Sequence, residues 1–132
     1  LALDHRYAGL VSVFLERDGS ATEGDFQAFL RDTALPSLLA DGPFAIAAQW
    51  KPEPPAGSPT GNAPMPLGSP AGGPERTIQL IFSEADPATS WDRVRAYAAE
   101  VDASGLGRVV FCAPFRPTVV GTDTYTDQLW LE

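Results

Sequence analysis

Hydrophobic and polar residues alternate along this chain in two periods, one of strands and one of helices. Residues 8–16 run AGLVSVFLE, with Val11, Val13 and Leu15 pointing one way and Leu10, Ser12 and Phe14 the other. Asp18-Gly19-Ser20 closes this first strand as a turn. Residues 22–40 follow with helical spacing, Phe26, Phe29, Leu30, Thr33 and Ala34 sharing a face. Thr22-Glu23-Gly24-Asp25 resembles a capping box, and its carboxylates suit the positive end of the helix dipole. Pro36 is expected to kink that helix or begin a new turn, and Asp41-Gly42-Pro43 to end it.

Residues 44–51 (FAIAAQWK) read as a second strand, and 76–83 (RTIQLIFS) as a third. In the third, Ile78, Leu80 and Phe82 form one face and Thr77, Gln79 and Ile81 the other. A second helix starts near Ala88-Thr89-Ser90, with Thr89 or Ser90 as its cap. It carries a stripe of Trp91, Val94, Tyr97, Ala98 and Val101, and stops at Gly105. Residues 107–113 (GRVVFCA) form the last strand.

The order strand, helix, strand, strand, helix, strand predicts an α+β fold of the ferredoxin-like βαββαβ kind. Four short strands make one antiparallel sheet with two helices on one face. Residues 1–132 are read as one such domain. Residues 52–74 hold eight of the 13 prolines and five of the 12 glycines, and no aromatic residue. That composition predicts a long loop, an inert linker before a lid. Residues 114–132 are read as an extended tail whose Phe115, Tyr125 and Trp130 pack against something.

The helices leave one sheet face open, and a water-facing side should alternate to polar residues. The set read as open consists of Leu10, Ser12 and Phe14, with Gln79, Ile81, Val110 and Cys112. It is mostly apolar, which fits either cover by a partner subunit or a ligand cavity. In dimeric α+β barrels both hold at once.

Asp25-Phe26 through Leu30 to Thr33-Ala34-Leu35-Pro36, followed by Gly42-Pro43-Phe44, carries a further likeness. With the element order, this stretch resembles the EthD-like branch of the dimeric α+β barrel superfamily. Ala34 stands where that branch has a histidine before x-Pro. The resemblance implies a homodimer through the open sheet face. It also brings functions ranging from cofactor-free monooxygenases, cyclases and lactone isomerases to haem proteins.

Charge narrows the partners. Seventeen acidic residues against nine basic ones give a net charge of −8, which repels phosphate backbones and anionic lipid. Neither nucleic acid nor a membrane is expected, and the apolar runs are far short of the ~20 residues that span a bilayer. Cys112 is the only cysteine, so no intrachain disulfide forms, and a reducing cytoplasm is the expected setting.

Candidate chemistry is sparse. His5 is the only histidine, and with no carboxylates spaced around it no metal site or cofactor is expected. His5, Tyr97 and Arg116 are the candidates for proton transfer or charge stabilisation. Ser12, Phe14, Gln49, Gln79 and Cys112 are the candidate ligand contacts. Each has a plainer reading: His5 as a terminal surface residue, Cys112 as a small buried hydrophobe, Arg116 as the ion-pair partner of Asp123 or Asp127. Two functions remain open, a hydrophobic small-molecule binder or cofactor-independent enzyme, and an inert oligomerisation module. In an inert module, Gln79→Leu is expected to leave the fold intact or more stable.

Overall fold

The computed structural model describes residues 6–52 and 75–117. Strand β1 (Gly9–Arg17) leads into α1 (Glu23–Phe29), a π-helical turn (Leu30–Ala34) and α2 (Leu35–Leu39). Strands β2 (Phe44–Trp50) and β3 (Arg76–Ser83) follow. A 3₁₀ turn (Pro87–Ser90), α3 (Trp91–Ala103) and β4 (Gly107–Phe115) complete the described elements. The sheet order is β2-β3-β1-β4, with every neighbouring pair antiparallel. This is the ferredoxin-like α+β plan that the element order predicts.

Local chemistry explains the helix ends. Thr22 caps α1 as its spacing suggests, its Oγ1 accepting from the Asp25 N–H at 3.1 Å. The cap of the second helical stretch lies earlier than expected. Asp86 Oδ1 accepts from the Ala88 N–H at 3.0 Å, while Ser90 makes no side-chain capping bond. Pro87 makes the early start favourable, because a proline fits the first helical position. Gly105 ends α3 at φ 71°, a left-handed value that glycine adopts without steric cost.

Pro36 stands in the first turn of a new α-helical stretch, one of the two outcomes expected of it. It sits in α2, directly after the π turn, in which the Leu35 N–H bonds back to the Leu30 carbonyl. Proline has no N–H to give, and its ring crowds the carbonyl four residues earlier, so a widened turn relieves both problems. The turn also serves packing. Phe26, Leu30, Ala34 and Leu38 are all buried at strict four-residue spacing. On an uninterrupted α-helix that spacing drifts about 40° per step, and the wider turn takes up part of the drift.

These side chains meet Val94, Tyr97 and Val101 of α3 over Val11, Val13, Leu15 and Ile81 of the sheet. Fully burying each aliphatic or aromatic side chain contributes about 1.5–3 kcal/mol, so this layer is the main source of stability. Strand β4 runs two residues past its expected end, to Phe115, although Pro114 lies within it. It pairs only with β1, and an edge strand tolerates proline because its outer side needs no ladder bond.

Register decides which residues share a face, and it corrects the expected grouping. Val13 stands opposite Gln79 and Val11 opposite Ile81, so Gln79 and Ile81 lie on the helix-covered side. Gln49 pairs with Gln79 and joins them there. In β4 the register shifts between Phe14 and Leu15, leaving Val110 as an extra residue. This bulge reverses the alternation beyond it, so Cys112 stands opposite Val13 on the covered side and Phe111 opposite Phe14 on the open one. Alternation within β1 and β3 is correct in the sequence reading; the pairing between those strands, and the simple alternation assumed for β4, are not.

Candidate functional site

The open face is built from three positions on each strand. They are Ile46, Ala48 and Trp50 on β2, Ile78, Leu80 and Phe82 on β3, Leu10, Ser12 and Phe14 on β1, and Phe111, Ala113 and Phe115 on β4. Eleven of these twelve are apolar, and Ser12 is the exception. The edge strands expose the largest groups: Phe115 is 49% exposed, Phe111 47% and Trp50 44%. Phe14 and Phe111 pack with ring centroids 5.3 Å apart, and Tyr7 covers Phe82 at 5.2 Å. The apolar field stops at a charged ladder, where Glu16 takes Arg76 at 3.3 Å and Arg108 at 3.2 Å. Strand spacing of about 4.8 Å and a rise of about 3.3 Å per residue make the field roughly 20 Å on a side. Contiguous apolar patches of more than a few hundred Å² are uncommon on monomers.

The covered side is the more polar of the two. The Tyr97 hydroxyl donates to Gln79 Oε1 at 2.7 Å, and Gln79 Nε2 donates to Gln49 Oε1 at 2.7 Å. Gln49 Nε2 then donates to Gln27 Oε1 at 2.5 Å, and Gln27 Nε2 to Thr77 Oγ1 at 3.0 Å. Four bonds in series thus link α3, β3, β2, α1 and β3 again. Gln79 and Thr77 are completely buried and Tyr97 nearly so. Burial drives the Tyr97 phenol above its ordinary value of 10.0, so it remains a neutral donor. A buried polar chain of this kind is stable only when each member has its partner, as here.

Two clefts flank the chain. One, of about 360 Å³, lies between the first helical stretch and β2, with Gln27 and Gln49 at its polar wall. The other, of about 380 Å³, lies between α2 and α3 and includes Tyr97, Arg93 and Glu100. Arg93 bridges this region by donating to the carbonyls of Leu38, Ala40 and Asp41 at the end of α2.

The predicted contacts therefore separate. Ser12 and Phe14 lie on the open face; Gln49, Gln79 and Cys112 lie on the other side. Cys112 is half-buried against the core, and burial raises its thiol pKa. Tyr97 and Arg116 are not brought together, since Tyr97 bonds to Gln79 inside the covered layer. Arg116 pairs with Asp86 at the end of β4; its expected pairing with Asp123 or Asp127 falls outside the described residues. Arg116 also lines a small hollow with Tyr7, Leu10, Phe82 and Phe115. His5 lies outside the described residues, as do Asp123, Asp127 and nearly all of the 52–74 stretch. Ala34, where the resemblance places a histidine, is fully buried in the core.

Sequence reasoning missed Gln27 and Thr77. Gln27 follows Phe26 on the helix flank, and only its pairing with Gln49 reveals that it faces inward. Among the described residues, no three His, Cys, Asp or Glu side chains are grouped to hold a metal ion. No described helix is long and apolar enough to cross a membrane. No protein-family model matches the chain, and no curated protein or solved structure is found similar to it.

Proposed function

We propose that this chain is a self-associating module, two copies packing open sheet face against open sheet face as a dimeric α+β barrel. The observation that carries the reading is the open face itself, with eleven apolar positions of twelve and no charge inside its border. Face-to-face sheets pack about 10 Å apart with interdigitating side chains, the arrangement such a surface suits. A field about 20 Å on a side covers about 400 Å² in projection, and its protruding aromatic groups add to the surface it can bury toward the ~800 Å² per partner of a standard interface.

Two further features favour a second copy on the face. Both edge strands carry a register shift, in β2 between Phe44 and Ile46 and in β4 at Val110. Bulges twist an edge away from regular pairing, which disfavours growth by strand addition. A partner selected by charge would need a complementary charge on the face, and none stands there. The glutamines expected to orient a ligand on this surface belong to the other side, which shifts the reading of the open face from ligand cavity to interface.

Sedimentation equilibrium across a hundredfold range of concentration tests this, with the full chain and its Leu80→Lys variant. The wild type should sediment as a dimer and the variant as a folded monomer, because a lysine at the centre of the field cannot be buried unpaired. A wild-type monomer at all concentrations would refute self-association and leave the face to another covering segment or partner.

A further inference from the structure

The cleft between the first helical stretch and β2 combines a hollow, apolar walls and a fixed polar group. The hollow has a sequence cause. On the covered side β2 presents Ala47 and Gln49 beside Phe44, so no large aliphatic group fills the space under α2. Leu35, Pro36 and Leu39 form the opposite wall, and Pro36 is also the residue that the π turn accommodates. At about 360 Å³ the space falls within the range of small-molecule sites, which are mostly apolar with a few converging polar groups.

Its polar side is formed by the neutral amides of Gln27 and Gln49, and Gln49 has one donor to spare. Gln49 Oε1 is occupied by Gln79 and its Nε2 gives one hydrogen to Gln27, but an amide nitrogen carries two. The buried Tyr97–Gln79 bond holds this arrangement from behind, so the Gln49 amide is positioned before any ligand arrives. Arg31 at the rim adds no net charge, because Asp32 pairs with it at 2.7 Å. A carboxylate would meet that balanced pair within a chain of net charge −8.

We infer that this cleft binds a small, uncharged apolar molecule with a carbonyl acceptor, such as an aryl ketone or ester. The apolar part lies against Leu35, Leu39 and Ala47, and the carbonyl accepts from Gln49 Nε2. The site is on the sheet side opposite the proposed dimer interface and stands independently of it.

Acetophenone and benzoate, which share a ring and differ in charge, are the probes for a titration followed by amide and methyl NMR shifts. Acetophenone should move the signals of Leu35, Leu39, Ala47 and the Gln49 side-chain amide, and benzoate should bind at least about tenfold more weakly. Ala47→Leu fills the hollow and should weaken acetophenone binding at least about tenfold with the rest of the spectrum retained. If that variant does not fold, Leu39→Phe, on the opposite wall, should give the same loss. Stronger binding of benzoate would overturn the ligand class. Shifts confined to the open face, or binding unchanged in a folded filled variant, would overturn the site.

Discussion

The two faces of this sheet reverse the usual distribution of polar groups. Under the helices lie Thr77 and Gln79, completely buried, and Gln49, half-buried, joined to Gln27 and Tyr97 by a continuous run of hydrogen bonds. On the side without helices, Ser12 is the one polar residue among the twelve central positions. Each face is intelligible only through its pairing. Glutamine is acceptable in the core because other side chains saturate it, and phenylalanine at the surface points to a surface that becomes covered.

Adjacent residues offer the sharpest way to break this comparison. Gln79→Leu, which looks like an improvement to a core, deprives Tyr97 and Gln49 of partners and should cost about 2–5 kcal/mol in urea unfolding. This reverses the expectation from sequence that the substitution would be harmless or stabilising. Leu80→Gln is the opposite exchange one residue away, and at concentrations too low for association it should cost less than about 1 kcal/mol. Equal losses at the two positions would abolish the distinction between the faces.

Smaller changes test individual links. Tyr97→Phe keeps the ring in place but leaves Gln79 Oε1 without its donor, an expected loss of about 1–3 kcal/mol by thermal or urea unfolding. Thr77→Val removes the acceptor at the far end of the chain. Its cost should be nearer about 1 kcal/mol, because Gln27 is only half-buried and can turn to water. Ser12→Val on the open face should change monomer stability by under about 0.5 kcal/mol while tightening any face-to-face association. A destabilisation there as large as that of Gln79→Leu would show that Ser12 belongs to a polar network of its own.

The smallest effect concerns acid. Burial raises the Glu23 pKa, but Lys51 at 2.8 Å and Arg17 at 3.2 Å outweigh it and hold the carboxyl below its ordinary value of 4.5. A carboxyl with a lowered folded pKa stabilises the fold fully above its unfolded value and loses that contribution as pH falls through the folded one. Acid unfolding curves should therefore show a shallower decline below about pH 4.5 in Glu23→Gln than in the wild type.

The elements were legible in the sequence because their signals are local. Alternation marked β3 at its true bounds, and Thr22 and Gly105 marked helix ends through interactions within a few residues. The faces were not legible, because alternation says which residues of one strand belong together but not which set meets which in the next. That depends on register, and in β4 on Val110, which no local pattern separates from its neighbours. The polar chain failed for the same reason. Gln27 and Thr77 are 50 positions apart, and only the folded sheet brings them within 3.0 Å. Asp86 as the cap was obscured by its distance from the apolar stripe that α3 displays.

Val110 also determines how this strand could change in length. β4 is one residue too long for its neighbour, and all the slack is gathered at one place. Loss of Val110 would leave Phe111, Cys112 and Phe115 each on the side it now occupies, with a straighter strand. Loss of Ala113 has no such solution. If the bulge persists, Phe115 turns inward; if the slack is drawn out to restore pairing, Phe111 does. A deletion is thus tolerated at one residue and not three positions later, although both are small apolar residues of the same strand.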